Sequence, residues 1–287
     1  RRIVDWLTIA SETNELEGEL YDGESAEFML EVNSTGLSEG LYDASIFIDT
    51  NAEPTVTIPI SLTVDATANQ VTISVPFSGG WNMIGLPVTV EDANYLSLFP
   101  YAIENTLYSF DGSYNQDEEL LEGFGYWLRF TTAGSSDIMG LPNDEISILL
   151  HEGWNMISGI SWPVWVHNII DYGEILVPNT IFGFDESGYT NAEYIEPGRG
   201  YWIRTYEEGQ IEISTGIEDN ASAKAVVFTD HLSGANPIRF NGKVLHFGVD
   251  VPEEHRLSYS LPPKPFSSAF DVRFSDETKL VPESGEI

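Results

Sequence analysis

The side chains able to do acid–base or metal chemistry in this sequence are mostly carboxylates. There are 46 Asp and Glu residues, five histidines and no cysteine. His151, His167, His231, His246 and His255 include no pair at the i, i+4 spacing that sets two ligands on one helix face, so we expect scattered surface or half-buried imidazoles and no acid–base or metal role. Without cysteine there are no disulfides, thiolate metal sites or thiol nucleophile. No Gly-x-Ser-x-Gly elbow and no glycine-rich phosphate loop after a strand occurs. Two carboxylates can flank a glycosidic bond, and among 46 some pair meets that separation by chance. Glu122 and Glu196 stand beside corresponding glycine-rich turns of an internal repeat, where a turn-stabilising role is more economical than catalysis. We therefore expect no enzyme.

The repeat is the strongest pattern in the chain. Gly80-Trp81-Asn82-Met83-Ile84 recurs 73 residues later as Gly153-Trp154-Asn155-Met156-Ile157. Asn105-Thr106-Leu107-Tyr108-Ser109-Phe110-Asp111 recurs 74 residues on, from Asn179 to Asp185, and the Gly-Tyr-Trp of Gly125 to Trp127 recurs 75 residues on at Gly200 to Trp202. The drift from 73 to 75 places small insertions in loops. Because each copy must solve the same packing problem, Trp81, Trp154, Trp127 and Trp202 read as fold-defining aromatics. In Gly-Tyr-Trp-x-Arg, strand alternation sets Tyr126 with Leu128 on one face and Trp127 with Arg129 on the other, which predicts the guanidinium over the indole, and likewise Arg204 over Trp202. Aligning Pro87-Val88-Thr89-Val90 with Pro163-Val164-Trp165-Val166 sets Trp165 opposite Thr89 on a solvated face, with Trp162 in an insertion of the second copy. That pair is the candidate ligand platform, for a sugar or a protein; a seam between domains is the plainer reading of the same aromatics. The loop from Asp111 to Glu119, with Asp117, and its counterpart at Asp185 carry oxygen ligands of the kind calcium takes, although an Asp-Gly turn accounts for the first without metal.

With 12 Lys and Arg the formal net charge is -34, which repels nucleic acid and anionic membrane faces. No apolar run approaches membrane-spanning length, and no signal peptide precedes the strand-like start at Arg1-Arg2, so the sequence reads as a piece of a longer protein. At 287 residues several compact units are expected. Acids dominate through residue 219, whereas residues 220–287 are nearly balanced. Short alternating runs such as Ala44 to Ile48 and Val56 to Val64, separated by the turn residues Asp49 to Pro54, predict an all-β chain. Only Tyr95 to Ile103 and Val166 to Leu176 have room for a short helix. The divisions are 1–66, a β-sandwich; 71–150 and 151–216, the two β-repeats; and 226–287, a small C-terminal β segment, with joints at Asp65 to Gln70 and Gly216 to Ala225. In the last segment Leu245 to Val249 and Phe270 to Phe274 alternate as strands do, and Leu261-Pro262-Pro263-Lys264-Pro265-Phe266 must be extended, since proline cannot join a central ladder.

Three resemblances follow from particular residues. Trp6-Leu7-Thr8-Ile9, Val32 to Tyr42, the Thr50-Asn51 turn and Ile58-Pro59-Ile60 resemble immunoglobulin-like repeats of bacterial surface proteins, modules that mostly act as spacers. The Gly-Trp-Asn and Gly-Tyr-Trp copies resemble a tandem module of large secreted bacterial proteins. Phe247-Gly248-Val249, Tyr259 to Pro265 and Phe270 to Phe274 resemble the segment preceding a type IX secretion sorting domain. Together they imply an extracellular, non-catalytic structural or adhesive segment, whose partners are other domains of its parent, glycans or surface proteins. A carbohydrate-binding accessory module of a secreted hydrolase is the alternative.

Overall fold

The structure, a computed structural model, describes residues 4, 6–10, 29–34, 37–48, 55–65, 69–215, 228–266, 270–283 and 287. The turn expected at Asp49 to Pro54 and the joint at Gly216 to Ala225 lie outside the described residues. The fold is all-β: among the described residues, helix is confined to single turns at Tyr95–Leu98, Val166–Asn168, Glu253–Arg256 and Leu257–Tyr259. The first two fall inside the two stretches where the sequence left room for a helix. No helix among the described residues is long and apolar enough to cross a membrane.

The chain divides into two compact units, 1–69 and 70–287, at the joint expected between Asp65 and Gln70. In the first, Leu7–Ala10 pairs antiparallel with Met29–Val32, and Gly40–Ile48 pairs with Val56–Val64 from Gly40–Val64 to Ile48–Val56. Tyr42, Ala44, Ile46 and Ile48 turn inward while the residues between them turn out, the period of two that the sequence carried. Trp6 is buried and meets Tyr42 edge to face at 6.5 Å.

The second unit is built from the two copies. In the first copy Gly80–Gly85, Gly125–Phe130, Tyr108–Phe110 and Tyr114–Gln116 form a four-stranded antiparallel sheet in that order; in the second, Gly153–Ser158, Gly200–Thr205, Phe182–Asp185 and Gly188–Asn191 repeat it. A three-stranded sheet accompanies each, led by Val71–Phe77 paired with Gly134–Pro142 and by Glu145–Leu150 paired with Gly209–Ser214. The second copy therefore begins near 145, not 151, because Glu145–Leu150 is its own first strand. Each copy closes a core between its two sheets, with Tyr126, Leu128 and Phe130 pointing into the first and Tyr201 and Ile203 into the second.

Alternation then sends Trp127 and Trp202 to the opposite face, where the two four-stranded sheets meet in a third core with Met83, Met156, Phe182 and Tyr189. The meeting has pseudo-twofold symmetry. Gly85 N–H donates to the Gly198 carbonyl at 3.0 Å, and Ser158 N–H donates to the Gly123 carbonyl at 2.9 Å. Trp127 meets Phe184 of the other copy edge to face at 4.7 Å, and Trp202 meets Phe110 at 4.9 Å.

The C-terminal segment belongs to this same unit and is not a separate domain. Its strands are Asn236–Phe240, Lys243–Phe247 and Leu280–Val281, the last paired parallel. Phe270 to Phe274, expected as a strand, is not one among its described bonds. Instead Arg273 is buried there, forking onto Asp271 at 2.6 and 2.7 Å, bonding Glu277, and donating to the Pro262 carbonyl at 2.6 Å. A guanidinium so engaged fixes the proline-rich stretch, which carries too few N–H groups to be held by a ladder. That stretch forms no ladder, bends at Pro263, and packs Leu261 and Phe266 against the shared core. Phe266 stacks on Trp81 at 4.1 Å and 16°, and the Tyr189 hydroxyl donates to the Pro263 carbonyl at 2.8 Å.

Lys279 ties the segment to the second copy, its ammonium 5.3 Å from the centre of Phe182 and 3.4 Å from Asn191 Oδ1. Burial lowers its pKa from 10.5 to about 8, Asp230 opposing. Between those values the unfolded chain binds the extra proton, so this group makes stability rise with pH from 8 to 10.5. The phenols of half-buried Tyr114 and buried Tyr126 and Tyr201, pushed up to about 12 by desolvation, act oppositely. Unfolded phenols ionise near about 10 and these do not, so above that pH stability falls. Denaturation midpoints measured from pH 8 upward are expected to rise and then turn over; in Lys279→Met the rise shrinks to the part that Lys243, its pKa also lowered by burial, contributes, and the fall remains.

Candidate functional site

The recurring motif residues are engaged in packing and turns. The Asn82 side chain accepts from Ser78 N–H at 2.9 Å and donates to the Ser78 and Gly80 carbonyls; Asn155 makes the same three bonds with His151 and Gly153. The Tyr126 hydroxyl accepts from Leu121 N–H at 3.0 Å and the Tyr201 hydroxyl from Glu196 N–H at 2.9 Å. Those matching bonds set Glu196 against Leu121, and Glu122 against Pro197, so the two glutamates are not equivalent as the sequence alignment had them. Glu122 accepts from Asn143 Nδ2 at 3.0 Å. Trp127 and Trp202 are fully buried, and Trp81 and Trp154 half-buried at matching positions. The guanidinium contacts fall on the latter pair: Arg129 lies 5.9 Å from the Trp81 ring and Arg204 5.5 Å from Trp154, not over Trp127 and Trp202. Register decides this, because Arg129 is the cross-strand neighbour of Trp81, and Arg204 of Trp154.

Asp111, Asp117 and Asp185 do not gather. Asp117 Oδ2 accepts from Ser109 N–H at 3.2 Å, and Asp185 Oδ1 accepts from the Ser187 N–H and hydroxyl at 2.7 and 2.6 Å, each closing its own turn. No group of three or more His, Asp or Glu side chains converges as a metal site among the described residues. His231 and His255, far apart in sequence, do stack at 4.8 Å.

Trp165 is different from the other repeat positions. It forms a two-residue ladder with the second strand of the pair, Val164 opposite Ile195 and Trp165 opposite Tyr194. Val164 and Ile195 are buried, so alternation turns Trp165 and Tyr194 outward. They are 50% and 41% exposed, and their rings lie nearly parallel, 19° apart with centroids at 5.4 Å. The pairing also identifies the counterpart of Trp165. Val166 N–H donates to the Glu193 carbonyl as Tyr95 N–H donates to that of Glu118, and Asn94 bridges Glu119 as Trp165 pairs Tyr194. Trp165 thus corresponds to Asn94, not to Thr89, which pairs with Leu141. The alignment slipped because the preceding loop is shorter in the second copy, residues 159–164 against 86–93, where similar Pro-Val dipeptides invite a false match. Trp162 lies in that shorter loop and not in an insertion. It is 45% exposed, and its indole N–H donates to Asp144 Oδ1 at 2.6 Å.

Beside Tyr194 an open cleft of about 300 Å³ is lined by Gly183, Asp185, Ala192, Glu193, Glu196 and Arg199, with Met83 of the first copy at its side. At the equivalent positions of the first copy larger side chains stand, Ser109 for Gly183 and Asp117 for Ala192, the Asp117 carboxylate accepting from the Ser109 backbone N–H. Nothing in the local pattern marks Tyr194, Arg199, Gly183 or Ala192; they stand out only where equivalent positions of the two copies differ, Gly183 and Ala192 by loss of side chain and Tyr194 by an aromatic in place of Glu119. No family model, curated protein or solved structure matches this chain.

Proposed function

We propose that the chain is a non-catalytic structural and adhesive segment of a large secreted or cell-surface bacterial protein, with the first unit an immunoglobulin-like spacer. The observation that carries this reading is the use of the repeated residues. Tryptophans, tyrosines, asparagines and glycines that recur between the copies go into one sealed aromatic seam and its turns, which suits a rigid element that holds other domains apart. The resemblance of the C-terminal segment to the stretch before a type IX sorting domain supports an exported location, and an acidic surface suits such surroundings. The purified protein is expected to show no turnover of glycans, peptides or esters. Reproducible hydrolysis, abolished by changing a single carboxylate, would overturn the proposal.

A carbohydrate-binding accessory role is the second reading, and the exposed Trp165–Tyr194 pair favours it. Both readings give the second copy an adhesive face. Beads coated with the protein are expected to adhere to bacterial or polysaccharide surfaces more than beads coated with a variant lacking Trp165.

A further inference from the structure

The two copies act as an internal control, since they share a fold and differ by substitution. At the seam the equivalent residues and their bonds are kept: Trp127 with Trp202, Asn82 with Asn155, Gly85 N–H and Ser158 N–H on matching carbonyls. Around one spot on the second copy they diverge together. Asn94 caps the helical turn Tyr95–Leu98, its side chain accepting from Leu96 N–H at 3.0 Å, whereas Trp165 occupies the same position before Val166–Asn168 with no side-chain cap. Losing such a cap ordinarily destabilises a helix start, and leaving an indole half in water gains nothing for a monomer. Opposite it Tyr194 replaces Glu119, so the same backbone pairing that carries Asn94 and Glu119 in the first copy carries a pair of near-parallel rings in the second. Next to those rings Gly183 and Ala192 replace Ser109 and Asp117 and open the cleft, and Arg199 replaces Phe124 within it. A cap given up, two apolar faces exposed and two side chains shortened beside a cleft are changes that favour a bound ligand over the free fold.

We infer that the cleft with its Trp165–Tyr194 rim is a subsite for a neutral pyranose ring bearing equatorial hydroxyls. The inference rests on the adhesive reading above and names its ligand class. Equatorial hydroxyls leave the axial C–H groups as a flat, weakly positive face, complementary to the negative face of an aromatic ring. The ring edge then meets polar groups able to bond hydroxyls: Glu193 and Glu196 as acceptors and Arg199 as a donor, a few oriented polar groups beside an apolar surface, as small-molecule sites have. Charge selects within the sugars. Three carboxylates, Asp185, Glu193 and Glu196, against the single guanidinium of Arg199, on a chain of net charge -34, repel uronic and sulfated rings.

The test is calorimetric titration of the whole chain with cellohexaose, a neutral glycan whose ring hydroxyls are all equatorial, and with hexagalacturonate, an acidic glycan with axial oxygens at C1 and C4, so that it differs in both charge and ring face. Cellohexaose is expected to bind and hexagalacturonate not. Trp165→Asn, which installs the residue of the first copy, is expected to weaken binding by about tenfold or more while leaving the thermal midpoint equal or higher. Gly183→Ser with Ala192→Asp, which installs the larger side chains of the first copy, is expected to weaken it comparably with the rim intact, so the inference stays testable if either variant folds poorly. No heat with cellohexaose at millimolar concentration, equal binding of the two glycans, or full binding by both variants would overturn it. Adhesion of coated beads that depends on Trp165 without any cellohexaose binding would sink the sugar assignment and leave the adhesive proposal standing; hydrolysis would sink that proposal instead.

Discussion

Trp127→Ala is expected to lower the stability of the second unit by about 3–5 kcal/mol, the cost of removing a large aromatic from a site that cannot collapse. Trp127 of the first copy is wholly buried, and its indole touches two other parts of the unit: Phe184 at 4.7 Å and Tyr189 at 6.5 Å from the other copy, and Phe266 at 6.0 Å from the C-terminal segment. The cavity therefore opens where three pieces meet, with no one strand free to shift inward. Trp202→Ala is expected to cost a similar amount, with the added loss of the Trp202 indole bond to the Tyr189 hydroxyl, 3.2 Å long. The two rings line one core, so the double variant should lose less than the sum of the single losses. Trp81→Ala should cost less, because that indole is only half-buried and Phe266 covers one side of it. The ordering is read from urea midpoints at constant slope. A loss below about 1 kcal/mol for Trp127→Ala would mean that hydrogen bonds alone hold the copies together, contrary to the packing seen.

Strand periodicity and the repeat were legible in the residues, since both are local or self-referential. Alternation at Gly40–Ile48 shows in the burial of Tyr42, Ala44 and Ile46, and repeat spacing shows in two sheets of the same strand order. What escaped was whatever depends on register between segments distant in sequence. Arg129 was assigned to the neighbour on its own strand, Trp127, yet the closest ring is Trp81 across the ladder, set by a pairing that no single segment encodes. Trp165 was matched to Thr89 by adjacent valines, and only its bond partners across the sheet reveal Asn94. The charge shift after residue 219 marks the C-terminal segment as its own domain, but Phe266 on Trp81, Pro263 on Tyr189 and Lys279 over Phe182 join it to the copies, and such contacts leave no mark in composition. The cleft was invisible for a related reason: it consists of side chains that are not there, and it becomes evident only when Gly183 is set against Ser109.

Gly125→Ala and Gly200→Ala are expected to cost about 1–3 kcal/mol each by overpacking, and to loosen the seam before either copy's own core. A Cβ on Gly125 would stand 2.5 Å from the Ile157 carbonyl oxygen, and one on Gly200 would stand 2.8 Å from that of Ile84. In both cases the obstacle is backbone of the other copy, which cannot rotate away as a side-chain tip can. The glycine of each Gly-Tyr-Trp motif is thus explained by the approach of its partner copy, not by the strand it begins. Gly112→Ala is the control, since Gly112 has φ +70° but nothing near its would-be Cβ, and so meets only the local strain of a left-handed backbone, about 1 kcal/mol, with no clash against the other copy. Hydrogen exchange separates the two kinds of damage. In Gly125→Ala the amides of Gly85 and Ser158, which donate across the seam, should exchange faster, while those between Val71–Phe77 and Gly134–Pro142 keep their protection. Gly112→Ala should leave both sets protected. If Gly125→Ala behaves as Gly112→Ala does, the copies are not in the close contact that the repeated glycines require, and the pseudo-twofold seam is wrong.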